Sequence, residues 1–167
     1  ISKSSFKDTY ALISGGAIFV SGSRVNITDS EFKNCNVSMD IAETGKNYAN
    51  GGGAIYLLGD SSNVVNCTFD NSKAREGGVI YVQGNNATID NAKTTKSNAT
   101  RGGSFYISGD FTTISNTAVY ESNASTSGGA IFIDGNHTDV VESSFENTRA
   151  FGHNGDGGGA IFVKGND

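Results

Sequence analysis

The 167-residue chain contains no proline and no tryptophan, and it has only two cysteines, one methionine and three leucines. Each shortage excludes something. No run of 18 apolar residues exists, so direct membrane insertion is not expected. Leu, Ala and Glu are too scarce for a helical bundle, and the Gly, Asn, Ser and Thr that replace them are poor helix formers. Glycine without a three-residue period, and without proline, is not collagen. Charged residues are only 17%, and β-branched and aromatic residues are plentiful, which argues against disorder. The net charge is −5. With no Lys/Arg cluster to offset it, a phosphate backbone would be repelled, so nucleic acid is not an expected partner. Cys35 and Cys67 supply neither a disulfide framework nor a metal-site spacing. They are expected to be inward or semi-buried free thiols. The chain starts at Ile1 with no signal peptide, and reads as a single domain, residues 1–167, cut from a longer protein.

What is abundant is Gly (23), Asn (18) and Ser plus Thr (34), and their placement is periodic. A Gly-Gly pair occurs at Gly15-Gly16, Gly52-Gly53, Gly77-Gly78, Gly102-Gly103, Gly128-Gly129 and Gly158-Gly159. Six residues after the second glycine of each pair stands a single one: Gly22, Gly59, Gly84, Gly109, Gly135 and Gly165. Between them, Ile18, Ile55, Ile80, Phe105, Ile131 and Ile161 alternate with Val20, Leu57, Val82, Ile107, Ile133 and Val163 at a spacing of two. That is one face of a β-strand.

The frame continues beyond the single glycine. Five residues on are Ile27, Val64, Ile89, Ile114 and Val140. Ten on are Phe32, Phe69, Thr94, Val119 and Phe145, and fifteen on are Val37, Ala74, Ala99, Ala124 and Ala150. Each repeat therefore holds three short extended segments separated by turns, and the shortest repeats are 25 residues long. There is no room for crossover helices, so a βαβ array is excluded. Three leucines cannot furnish a leucine-rich repeat. The reading is an all-β, right-handed parallel β-helix of about 5–6 rungs, in which equal positions of successive repeats stack into inward ladders. The two rod ends would expose strand edges and core unless adjacent rungs or domains cap them.

The recurrent Gly-Gly-Ala-Ile (Gly15–Ile18, Gly52–Ile55, Gly128–Ile131, Gly158–Ile161), with Phe followed five residues later by Ala (Phe69/Ala74, Phe145/Ala150), resembles the polymorphic outer-membrane-protein repeat of chlamydial adhesins. It is also similar to the β-helix repeats of adhesin-like surface proteins of methanogenic archaea. Asn34, Asn71 and Asn147 stand two residues after the Phe rather than the three of the chlamydial motif, which favours the archaeal group, or a remote cousin, over the chlamydial proteins. The resemblance implies an extracellular protein of the cell surface or cell wall that adheres to glycans or proteins of another cell.

One column stands out as a candidate site. Three residues after the second glycine come Phe19, Tyr56, Tyr81, Tyr106, Phe132 and Phe162, all aromatic and all on the face opposite the inward Ile/Val columns. A water-exposed stripe of rings would suit the apolar faces of sugars. The alternative is a structural ladder of stacked rings roofed by a loop. The turn before the Gly pair is expanded at Ser38–Gly51 and Phe151–Gly157, which would wall the central rings like a saddle.

Other motifs carry less. Seven Asn-x-Ser/Thr sequons occur, at Asn26, Asn36, Asn66, Asn86, Asn98, Asn123 and Asn136. They are glycan acceptors only in a suitable secretory route, and otherwise turn and ladder residues. The segment His153-Asn154-Gly155-Asp156-Gly157 offers too few oxygens to hold calcium alone, and neither His137 nor His153 has a metal-site partner, so no metal or cofactor is expected. Polysaccharide lyases and hydrolases also use β-helices, and remain the alternative function. Such a site needs clustered acids. Asp29 and Glu142 share a column but sit four repeats apart, and Asp139 with Glu142 forms a thin cluster. No catalytic residues are assigned, and the expectation is that the chain is not an enzyme.

Overall fold

The computed structural model describes residues 1–38, 51–152 and 157–166. All its regular structure is β, arranged as parallel sheets stacked into a solenoid of about six turns, consistent with a parallel β-helix. The Gly-Gly strands Ile18–Val20, Ile55–Leu57, Ile80–Val82, Phe105–Ile107, Ile131–Ile133 and Ile161–Val163 form a six-stranded sheet. A five-stranded sheet runs from Asn26–Thr28 to Asp139–Val141, and a second six-stranded sheet from Ser5–Lys7 to Ser144–Glu146. The register pairs repeat letter with repeat letter, for example Ile80 with Ile55 and Phe105, and Phe32 with Phe6 and Phe69. The column fifteen residues after the single glycine adds a shorter fourth ladder. It contains Asn36–Val37, Asn98–Arg101, Asn123–Ser127 and Arg149–Ala150, joined by bridges through Lys73.

The turns explain the composition. A rung bends at four positions of positive φ. The first is the leading glycine of each pair, as at Gly52 (φ 65°). The others lie two, seven and twelve residues after the single glycine, as at Asn86 (55°), Asn91 (48°) and Asn71 (54°). Asn is the side-chain-bearing residue best suited to this conformation, which accounts for much of the asparagine in these columns. Their amides also ladder up the rod. Asn91 Nδ2 donates to Asn66 Oδ1 (2.9 Å), and Asn66 Nδ2 donates to Asp29 Oδ1 (3.1 Å). In the neighbouring column Asn71 Nδ2 donates to Asn34 Oδ1 (2.8 Å), and Asn34 Nδ2 to Asp8 Oδ1 (2.7 Å). The second glycine of each pair serves close approach rather than turning. A Cβ on Gly53 would overlap the Gly78 carbonyl oxygen of the next rung.

Inside, the Ile, Val and Phe ladders form one continuous core. Fully burying each such side chain contributes about 1.5–3 kcal/mol. Phe32 stacks on Phe69 at 4.8 Å and on Phe6 at 4.9 Å. Volume is conserved where the Phe column breaks: the rung with Val119 in that column carries Phe105 in the Ile column, and both are fully buried. Beside Thr94, which also replaces Phe, buried hydroxyls satisfy one another. Ser104 Oγ lies 3.0 Å from Thr94 Oγ1, 2.6 Å from Ser97 Oγ and 3.0 Å from Ser122 Oγ. Cys35 and Cys67 are buried free thiols, as expected. Burial raises both thiol pKa values, which suppresses thiolate reactivity. The core is tightest in the middle rungs, while Phe6, Val140, Phe145 and Ile161 towards the two ends are only partly buried.

Candidate functional site

The six candidate aromatics are the middle residues of the Gly-Gly strands, and the in-register pairing stacks them in one column. Successive ring centroids are 5.3, 4.6, 4.9, 5.1 and 5.0 Å apart from Phe19 to Phe162, and the three central pairs are within 8° of parallel. The column is not the exposed stripe that strand alternation predicts. Tyr56, Tyr81, Tyr106 and Phe132 are buried, with Tyr106 only 3% exposed, and form their own small core. Phe162 is half-buried, and only Phe19, at 52%, is open.

The cover comes from the residues just before each Gly pair, which cross the corner and stack through bridges Gly51–Glu76 and Glu76–Arg101. The Arg101 guanidinium sits over Tyr106 and Phe132, 5.1 and 5.2 Å from their centroids. It is anchored by an ion pair to the nearly buried Glu76 carboxylate. Burial opposes the Arg101 charge, but the Glu76 hydrogen bond and charge outweigh it and raise the pKa. Gly51 packs so close to Tyr81 that a Cβ there would lie 2.5 Å from the ring.

Each phenol is tied to the rung above by the residue preceding the single glycine. Tyr56 Oη donates to Gln83 Oε1, Ser108 Oγ donates to Tyr81 Oη (3.3 Å), and Tyr106 Oη donates to Asp134 Oδ2 (3.1 Å). Phe132 has no hydroxyl, and at the corresponding place Lys164 pairs with Asp134 at 2.9 Å instead. Hydrogen bonding to Lys164, foremost, and to Tyr106 holds the Asp134 carboxyl below its ordinary pKa. Burial, foremost, raises the pKa of all three phenols, and the nearby Glu76 carboxylate adds to it. These tyrosines are thus neutral, hydrogen-bonded and stacked on both faces. They have no free face to offer a sugar, which is a correction to the exposed-platform expectation.

The remaining candidates do not converge. Asp29 and Glu142 occupy the same corner column four strand steps apart, a separation of roughly 19 Å. Asp29 is occupied by the Asn66 amide. Among the described residues, no group of three or more His, Cys, Asp or Glu could hold a metal ion. Of the two expanded turns, Ser38–Gly51 and Phe151–Gly157, residues 39–50 and 153–156 lie outside the described residues, and with them most of the saddle walls and the segment from His153 to Asp156. Of the sequon asparagines, Asn66 and Asn136 are engaged in side-chain ladders, while Asn86 is exposed at a corner.

The structure also brings together a pair that strand-based reasoning passes over. Phe111 and His137 both stand two residues after a single glycine, at positive-φ corners of adjacent rungs. Their rings stack at 4.7 Å. Phe111 is 55% exposed. With Thr113, Thr138 and Asp139 the pair lines an open cavity of about 480 Å³. The column alone does not give the signal: Arg24, Ser61 and Asn86 precede Phe111, and only the positive φ at this corner marks a ring as out of place.

The chain matched no protein-family model, no curated protein and no solved structure.

Proposed function

We propose that the chain is a segment of an adhesin-like protein of the cell surface or cell wall, acting as a rigid stalk that holds a neighbouring module towards glycans or proteins of another cell. One observation carries this reading. The register is unbroken through the Gly-Gly sheet, and the buried aromatic column it carries is hydrogen-bonded from rung to rung. Bending such a rod would separate stacked rings and break backbone ladders together, so it transmits position rather than absorbing it. The Gly-Gly-Ala-Ile resemblance supplies the surface context, and the low charge and neutral buried phenols suit a structural role. Adjacent rungs or domains would continue the ladders at the half-buried ends. Polysaccharide cleavage is disfavoured, because the shared-column acids Asp29 and Glu142 are too far apart to act as a pair.

The test uses the complete parent protein on intact cells. Replacing this segment with a Gly/Ser linker of equal residue number should leave the protein accessible to surface antibody but abolish adhesion that depends on reach. An unrelated rigid rod of equal length should restore it. Equal adhesion with the flexible linker would refute the stalk reading.

A further inference from the structure

We propose that Phe111, His137 and Asp139 form a binding platform for a neutral hexopyranose unit of a glycan. This does not rest on the stalk reading, since it concerns a different face of the rod. The first argument is exposure against strain. Phe111 adopts φ 56°, a conformation that bulky residues rarely accept. Burial does not compensate it, because more than half of the residue is open to solvent. The corner neither needs a ring nor favours one, since Asn86 and Ser61 make the same turn one and two rungs earlier.

The second argument is chemical. More than half of Phe111 stays exposed at the open cavity although one face of its ring is stacked on His137, and the walls around it carry hydrogen-bonding groups that no described residue uses. The Thr113 hydroxyl, the Asp139 carboxylate and the His137 imidazole make no hydrogen bond among the described residues. This contrasts with the corner columns of Asn66, Asn71 and Asn91, whose side chains are laddered to their neighbours. An exposed aromatic ring beside unused donors and acceptors suits a pyranose, which has C–H bonds on one face and hydroxyls at its edge. The charge is also selective. Asp139 lines the cavity, with no Lys or Arg in the wall. A uronic acid would meet repulsion, and a neutral sugar would not.

The experiment screens the chain against immobilised neutral oligosaccharides of glucose, galactose, mannose and N-acetylglucosamine, with uronic-acid oligosaccharides alongside. Binding to at least one neutral set is expected. Phe111→Asn should weaken it tenfold or more while the melting temperature stays at or above the parent value, because Asn relieves the corner. Asn86→Ser, at the same corner one rung earlier, should leave binding within twofold. Should Phe111→Asn lower the melting temperature, Asp139→Asn decides, with a fivefold loss expected at unchanged melting temperature. Absence of neutral-glycan binding, a preference for the uronic acids, or binding within twofold of the parent in the deciding variant overturns the proposal.

Discussion

Two aromatic stacks on the same rod have nearly the same geometry and opposite surroundings. Tyr81 and Tyr106 lie 4.9 Å apart, and Phe111 and His137 lie 4.7 Å apart. The first pair sits on ordinary strand backbone beneath Glu76 and Arg101, its hydroxyls tied to adjacent rungs. The second sits on positive-φ backbone in water, beside polar groups with no hydrogen-bond partner among the described residues. Ring stacking is therefore what in-register repetition produces wherever two aromatics share a column. Burial and hydrogen-bond satisfaction separate a spine from a surface that has something left to bind.

The largest expected effect lies in the spine. Tyr81→Ala leaves a ring-sized cavity between two stacked neighbours and should destabilise the protein by about 3–5 kcal/mol in denaturant unfolding. Phe111→Ala, with solvent on one side, should cost less than about 1 kcal/mol. Similar losses from the two variants would break the comparison.

Removing the cover comes next. Arg101→Ala leaves the nearly buried Glu76 carboxylate without its partner and bares the Tyr106 and Phe132 rings. The loss of a charge-assisted hydrogen bond should cost about 1.5–3 kcal/mol, and a fluorescent apolar dye should gain a site.

The spine also predicts an alkaline limit. The folded state holds the Tyr56, Tyr81 and Tyr106 pKa values above the ordinary phenol value, chiefly through burial. The unfolded chain therefore loses protons first as pH rises. Stability is intact below about pH 10 and falls above it, because ionisation favours the unfolded state. Tyr106→Phe should make that fall shallower, although it forfeits the bond to Asp134 at a neutral-pH cost of about 1 kcal/mol. A pH-independent unfolding midpoint between 9 and 11 would contradict the burial of the phenols.

The smallest effect belongs to the exposed pair. Phe111→Asn should change stability by no more than about 0.5 kcal/mol, relief of the corner offsetting the lost ring contact.

How far the chain could be read in advance follows from these two stacks. The glycine spacing and the Ile/Val alternation report backbone geometry directly, so rung length, inward ladders and parallel stacking were legible. The fourth ladder was half-visible in the Val37/Ala74 column, whose strands are short. The burial of Tyr56, Tyr81, Tyr106 and Phe132 was not legible from alternation. Alternation states which side of a strand a residue occupies, not whether Glu76 and Arg101 fold across the corner to cover it. Phe111 was missed for the converse reason. In a column of Arg, Ser, Asn and His it passes for an ordinary turn residue until the positive φ at that corner is known.

The most direct test of the account is tyrosine nitration of the native protein with site-resolved mass spectrometry. Tyr10, 60% exposed, should be modified readily while Tyr56, Tyr81 and Tyr106 stay unmodified until the protein unfolds. Nitration of Tyr81 and Tyr106 in the folded state at a rate near that of Tyr10 would contradict the buried spine.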